Sequence, residues 1–211
     1  MEKLFKYPRT PHLPWSPGAT NDDRVLPDTE HFNGRMVSVS IKMDGECTTL
    51  TREKSYARSI DSVDHVSRHW LKNLHAGIKH NIQPGWRICG ENLFATHSIK
   101  YYDLPSYFMV FSIWNHKNYA LTLKGTISLC ESLGLQHVPI VWDGCWEGDM
   151  QSKLNGIFEN YEGQEGYVVR LKDSFHYDDF EKSIAKFVRK EHVKTNKHWM
   201  HQKLEKNVLL K

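Results

Sequence analysis

The 211-residue chain has four cysteines, Cys47, Cys89, Cys130 and Cys145, and no two of them are close enough to make a CxxC pair. That absence argues against a structural zinc site and against a disulfide framework, and it suits a reducing cytoplasm. No apolar run approaches the roughly 20 residues needed to cross a bilayer, and residues 1–9 lack the apolar stretch of a signal peptide. No membrane partner is therefore expected. Charge of one sign is also scarce: 28 basic residues stand against 25 acidic ones, a formal net charge of +3. A nucleic-acid partner would have to be recognised by where the cations sit, since there is little excess of them. The chain contains no internal repeat and no low-complexity tract. With 39% hydrophobic and 12% aromatic residues it is not a disordered chain. Its length predicts a single mixed domain over residues 1–211, with a sizeable core.

Five of the eight prolines, Pro8, Pro11, Pro14, Pro17 and Pro27, fall before residue 35. Each fixes φ and removes a donor, so residues 1–34 read as an irregular, extended lead-in able to wrap a surface or cover a pocket. Alternation then predicts a strand over 35–41 ending at Lys42, and a threonine-rich return strand over 47–52. Val63, Val66, Trp70, Leu74 and Ile78 recur at helical spacing and predict a helix over 61–82, capped by Asp61 or Ser62. Further strands are expected at 86–93, 107–114, 137–142, 166–171 and 183–189. Helices are expected at 121–133, stopped by Gly134, and more weakly at 150–160. The polar tail 191–211 is expected to be helical, with no separate C-terminal domain after it. Strands outnumber helices and do not alternate with them as in βαβ units. The predicted class is therefore α+β, built on antiparallel sheets.

Three segments could carry chemistry. Lys42-Met43-Asp44-Gly45 puts a lysine at a strand end before a glycine turn, where the amine can point into a cleft between sheets. To act as a nucleophile the amine must be neutral, which calls for desolvation or neighbouring cations. Glu165-Gly166-Tyr167-Val168-Val169-Arg170 opens an apolar strand with a carboxylate and a glycine. Lys186-Phe187-Val188-Arg189 interleaves cations with apolar residues, and alternation places Lys186 and Arg189 on opposite faces. Each segment taken alone is an ordinary strand end, turn or edge strand.

In this order and spacing the three together resemble the covalent nucleotidyltransferases: ATP-dependent RNA and DNA ligases and capping guanylyltransferases. Gly90-Glu91-Asn92-Leu93-Phe94, the aromatic segment Tyr107-Phe108-Met109-Val110-Phe111 and Ala57-Arg58-Ser59 also fit. The resemblance covers residues 42–190 and is closest to the ATP-dependent RNA ligases. The lead-in Arg9-Thr10-Pro11-His12-Leu13-Pro14-Trp15-Ser16-Pro17 shares its texture with short enzymes of that kind.

The resemblance implies two antiparallel sheets flanking an ATP cleft, with helices outside. It also implies that Lys42 attacks the α-phosphate of ATP and carries AMP as a phosphoramidate. Asp44 would lie beside the nucleotide and oppose any lowering of the Lys42 pKa. Arg58 would contact ribose or phosphates, Glu91 would bond a ribose hydroxyl, and Phe111 would stack on adenine. Glu165 would help hold Mg²⁺ or Mn²⁺, while Lys186 neutralises the α-phosphate. Val188 stands where many relatives have a second lysine, so Arg189 is the candidate for that phosphate contact. The implied partner is RNA with 5′-phosphate and 3′-hydroxyl ends, with room for a separate end-processing or clamp protein. Lys194 and Lys197 are candidates for RNA phosphate contacts, and Trp199 for stacking on a base. Thr96, His97, Ser98 and His12 are further candidates for contact with substrate. The rival readings are a minimal DNA ligase, a guanylyltransferase, or a non-catalytic RNA- or ATP-binding module.

Overall fold

The computed structural model describes residues 4–61, 64–161, 163–190 and 204–211. After the lead-in come β1 (Met36–Lys42), β2 (Glu46–Thr51) and β3 (Ser55–Ala57), then α1 (His69–Ile78). Next are β4 (Arg87–Asn92), β5 (Phe108–Trp114), β6 (Tyr119–Ala120), α2 (Leu123–Leu133) and β7 (Gln136–His137). The described elements close with β8 (Ile140–Cys145), α3 (Met150–Phe158), β9 (Gly166–Leu171), β10 (Phe175–His176) and β11 (Ile184–Val188).

The strands make two sheets. A four-stranded antiparallel sheet runs β11-β9-β1-β8, and a larger one runs β10-β6-β5-β4-β2-β3. The larger sheet has one parallel addition, β7 against β5. The Lys42 strand is thus central in the smaller sheet, and β4 and β5 are central in the larger. Apolar side chains of β5 serve both faces. Phe108 and Val110 pack under α1 and α2 with Leu50, Leu71 and Cys130, while Met109 and Trp114 join the second core with Val39, Tyr167 and Val169. Burying one side chain of this size contributes about 2 kcal/mol, so the helices seal the outer face of the larger sheet and leave its inner face for the cleft.

Local chemistry explains the element ends. Thr122 caps α2 by accepting from the Gly125 N–H, and Gly134 ends the helix at φ 67°. Asp149 caps α3 through Ser152. Gly166 allows β9 and β11 to approach: a Cβ there would lie 1.9 Å from the Phe187 carbonyl oxygen.

The structure shortens one expected element, splits a second and replaces a third. Of the helix expected over 61–82, the described residues are α-helical at His69–Ile78. His65 accepts from the Ser67 N–H and starts a 3-10 turn at Val66–Arg68, so Val66 is left 48% exposed. The strand expected over 137–142 is split, because Val138 bonds back to β5 and Pro139 has no N–H to continue a ladder. The helical tail is not found where the tail is described. Residues 204–211 run extended, with bridges Ala95–Lys206 and Leu104–Leu209. Residues 191–203 lie outside the described residues. No helix among the described residues is long and apolar enough to cross a membrane.

Candidate active site

A cleft of about 460 Å³ opens between the two sheets and the lead-in, within the range of small-molecule sites. Lys42, at the end of β1, pairs with Gly166 of β9, so the residue before that strand, Glu165, is carried to the amine. Lys42 Nζ donates to Glu165 Oε2 at 2.6 Å; the lysine side chain is 25% exposed and the glutamate 8%. Glu91 faces them from β4. Burial would lower the Lys42 pKa, but Glu165, Glu91 and Asp44 outweigh it and raise the amine above its ordinary value. Expecting neighbouring cations to strip its proton therefore does not describe this cleft: carboxylates surround the amine, and it is charged.

Burial pushes Glu91 up to about 8, with Glu165 and Asp44 adding to the shift and Lys42 opposing it. The folded protein then binds a proton here that the unfolded chain releases near pH 4.5. This contribution to stability is complete below that pH and lost as pH rises towards 8. The melting temperature of the wild type is expected to fall across pH 5–8 and that of Glu91→Gln to fall less. Parallel slopes in a thermal melt series would refute this.

Asp44 is turned elsewhere. Its Oδ2 accepts from the Ser98 N–H at 2.7 Å and the Ile99 N–H at 2.8 Å, while its own N–H donates to the Tyr101 hydroxyl at 2.9 Å. Asp44 thus orders the loop after β4 and acts on the nucleophile through its charge. Asn207 holds the same loop from the other side, donating to the Leu93 and Ala95 carbonyls and accepting from Thr96 Oγ1 and the Tyr101 N–H. Thr96 and Ser98 are therefore parts of this scaffold.

Lys186 on β11 pairs with Val168, and its Nζ lies 3.5 Å from Asp23 Oδ1. Burial lowers the Lys186 pKa, against the pull of Asp23. Burial alone would raise Asp23, but the Thr20 N–H and hydroxyl, Lys186 and His12 bring it down to about 2. Behind Asp23 sits His12, 1% exposed, with Nε2 at 3.4 Å from Asp23 Oδ2 and Nδ1 at 2.7 Å from Ser16 Oγ. Burial holds His12 neutral, down at about 4. A neutral ring accepts from Ser16 at Nδ1, while Nε2 faces Asp23 without a hydrogen bond, so His12 backs the Asp23–Lys186 pair from outside the cleft.

Phe111 owes its aim to a β-bulge. In the β4–β5 ladder Cys89 pairs with Ser112 and Gly90 with Val110, so Phe111 is the extra residue and its ring turns into the cleft. Tyr7 meets it edge-on at 4.9 Å. Arg58, after β3, also lines the cleft and donates from Nε to the Tyr7 carbonyl at 3.1 Å. Arg189 does not line this cleft: it borders a second hollow with Trp15, Phe158 and Phe187. Lys194, Lys197 and Trp199 lie outside the described residues. Sequence reasoning missed Tyr7, Asp23 and Arg170. The only signal for Asp23 was Thr20 three residues earlier, which predicts a local turn and says nothing of Lys186.

Among the described residues no group of three or more His, Cys, Asp or Glu side chains could hold a metal. Glu165 and Glu91 offer two carboxylates and no cage. That fits a divalent cation bound mostly through phosphate oxygens and water, the habit of Mg²⁺.

The RNA ligase family model matches residues 35–188. No curated protein sequence matches the chain. Among solved structures it is similar to an archaeal ATP-dependent RNA ligase, with 18% identity, a TM-score of 0.61 and coverage of 88% of this chain and 48% of that one. It is similar to a mutant Naegleria gruberi RNA ligase with ATP and Mn, at 18% identity and a TM-score of 0.54, covering 78% and 52%. A candidate ATP-dependent DNA ligase from Aquifex aeolicus gives 20% and 0.55, covering 76% and 46%. The chain thus spans about half the length of these solved proteins, and at such identities the likeness is one of fold.

Proposed function

The chain belongs to the RNA ligase family, and on that footing we propose that residues 1–211 form one adenylyltransferase unit of an ATP-dependent RNA ligase. The observation that carries the reading is the Lys42–Glu165 pair at 2.6 Å. It lies in a cleft that also presents Glu91, Lys186, Arg58 and an aromatic face at Phe111.

Lys42 Nζ attacks the α-phosphorus, pyrophosphate leaves, and a phosphoramidate forms. The amine must first lose a proton, and the 2.6 Å bond offers it a carboxylate on Glu165 to receive one. Lys186, released from Asp23, meets the negative charge that grows on the α-phosphate, which is where phosphoryl transfer gains most. Arg58 holds ribose or phosphates, Glu91 bonds a ribose hydroxyl, and Phe111 stacks on the base. A divalent cation at Glu165, Mg²⁺ or Mn²⁺, supplies charge neutralisation when bound. AMP then passes to an RNA 5′-phosphate, and a 3′-hydroxyl displaces it to seal the strand. The free thiols of the four cysteines accord with action in the cytoplasm.

The test is to incubate the protein with each nucleotide and a divalent cation, weigh it, and then offer nicked RNA and nicked DNA. An AMP adduct from ATP and sealing of the RNA nick are expected. An adduct from GTP alone would make it a guanylyltransferase, and sealing of DNA alone a DNA ligase.

A further inference from the structure

Asp23 reaches the cleft from a turn of the lead-in that is fastened on both sides. Before the turn, the Gly18 N–H donates to the Val188 carbonyl at 2.9 Å. After it, the His12 N–H donates to the Arg24 carbonyl at 2.7 Å and the Leu26 N–H to the His12 carbonyl at 2.8 Å. Residues 11–13 are in turn laced to β11, the Leu13 N–H on the Lys186 carbonyl and the Lys186 N–H on the Pro11 carbonyl. Between these anchors Thr20, Asn21 and Asp22 are exposed. The turn closes on itself: the Asp23 N–H donates to the Thr20 carbonyl, and the Thr20 N–H and hydroxyl donate to Asp23 Oδ2 at 3.1 and 3.0 Å. A turn held by its own bonds can tilt as a unit while its anchors stay in place.

The other oxygen of that carboxylate, Oδ1, lies 3.5 Å from Lys186 Nζ, on the ammonium that faces the cleft. A phosphate oxygen on the same ammonium would come within about 6 Å of Asp23, where like charges repel. Acid does not clear the way, because Asp23 is held down at about 2 and stays ionised. It does have a second resting place. His12 Nε2 is 3.4 Å from Oδ2, buried and without a hydrogen bond, while Nδ1 meets Ser16 Oγ at 2.7 Å. The charged groups that face the ring are Asp23 from the turn, Lys186 from β11 and Lys42 from β1. Burial, Lys186 and Lys42 hold it neutral against the pull of Asp23. With Nδ1 accepting from Ser16, the one ring proton is on Nε2 and aimed at the carboxylate. A tilt of about half an ångström would make this a normal hydrogen bond.

Resting on the reading that a nucleotide phosphate comes to Lys186, we propose that Asp23 is an internal stand-in for that phosphate, clasping Lys186 in the empty cleft and passing to His12 when a nucleotide arrives. The clasp keeps the ammonium paired and in position. It also lowers the apparent affinity, because only the released fraction accepts a phosphate.

The test is calorimetric binding of the α,β-methylene analogue of ATP, which cannot yield AMP, to the intact protein and its variants. Asp23→Asn, which keeps an acceptor for the Thr20 N–H, is expected to bind it roughly two- to fivefold more tightly, the scale of a partly exposed ion pair. His12→Asn can still meet Ser16 but does not reach Asp23, and is expected to bind about twofold more weakly. In a Lys186→Met background the Asp23→Asn exchange should change nothing, since no ammonium is left to release. Asp22→Asn, on the same turn and cleft wall, should have the smaller effect. Asp23→Asn binding no tighter than the wild type overturns the proposal, and so does a folded His12→Asn protein that binds equally well. A gain that survives Lys186→Met marks a loosened cleft, and equal gains at Asp22 and Asp23 mark a general charge effect; either also overturns it. If Asp23→Asn does not fold, Asp23→Ser carries the same comparisons. Binding by neither the wild type nor Asp23→Asn would overturn the nucleotide reading itself, whereas equal binding by both overturns the clasp alone.

Discussion

Given ATP and a divalent cation, the wild type is expected to gain one AMP, while Lys42→Ala and Lys42→Arg gain none. The arginine variant is the sharper of the two. A guanidinium can keep the ion pair with Glu165 and fill similar space, but it stays charged at every accessible pH and cannot supply a lone pair. If Lys42 only anchored phosphates, Lys42→Arg would retain function. If it is the nucleophile, both variants fall to background, and no change of pH rescues the arginine. The wild-type rate should rise with pH through the alkaline range, because the carboxylates around Lys42 raise its pKa. An AMP adduct on either variant, found by intact mass and mapped by peptide digestion, would end the proposal.

The second large effect is expected at Lys186. Lys186→Ala should slow single-turnover adenylation on the order of 100- to 1,000-fold, as removal of a preorganised charge facing a developing anion does elsewhere. It would also leave Asp23, among the described residues, with the Thr20 N–H and hydroxyl as hydrogen-bond partners and the His12 ring beside it. Some loss of melting temperature is therefore expected and must be measured alongside the rate. Lys186→Arg keeps the charge and should restore part of the rate. A fall of less than about threefold in a folded Lys186→Ala protein would remove Lys186 from the catalytic set, since charge-assisted contacts to a transition state are worth more than that.

Much of this architecture was readable from period and punctuation. The strand ending at Lys42 alternates, the one holding Phe111 is dense in aromatic and β-branched residues, and Gly134 acts as the end signal it resembles. The site was less readable, for physical reasons. Phe111 points into the cleft because a bulge adds a residue to β5, and a bulge has no reliable pattern in a single sequence. The resemblance implied Asp44 as a neighbour of the nucleotide, and the sequence held no sign that two backbone N–H groups of a loop more than fifty residues away claim its carboxylate. Asp23 and Tyr7 reach the site from a proline-rich lead-in that has no periodicity to betray which side chains face inward.

The hold of Asn207 on the loop around Asp44 changes how shortened chains should be interpreted. Deleting everything past Lys190 would remove Lys194, Lys197 and Trp199, but it would also pull out the peg that fastens the hinge side of the nucleophile's own turn. An inactive truncation would then look like the loss of an RNA grip when the damage was to the adenylation step. Only single-residue exchanges in the tail, with Asn207 left in place, can separate the two.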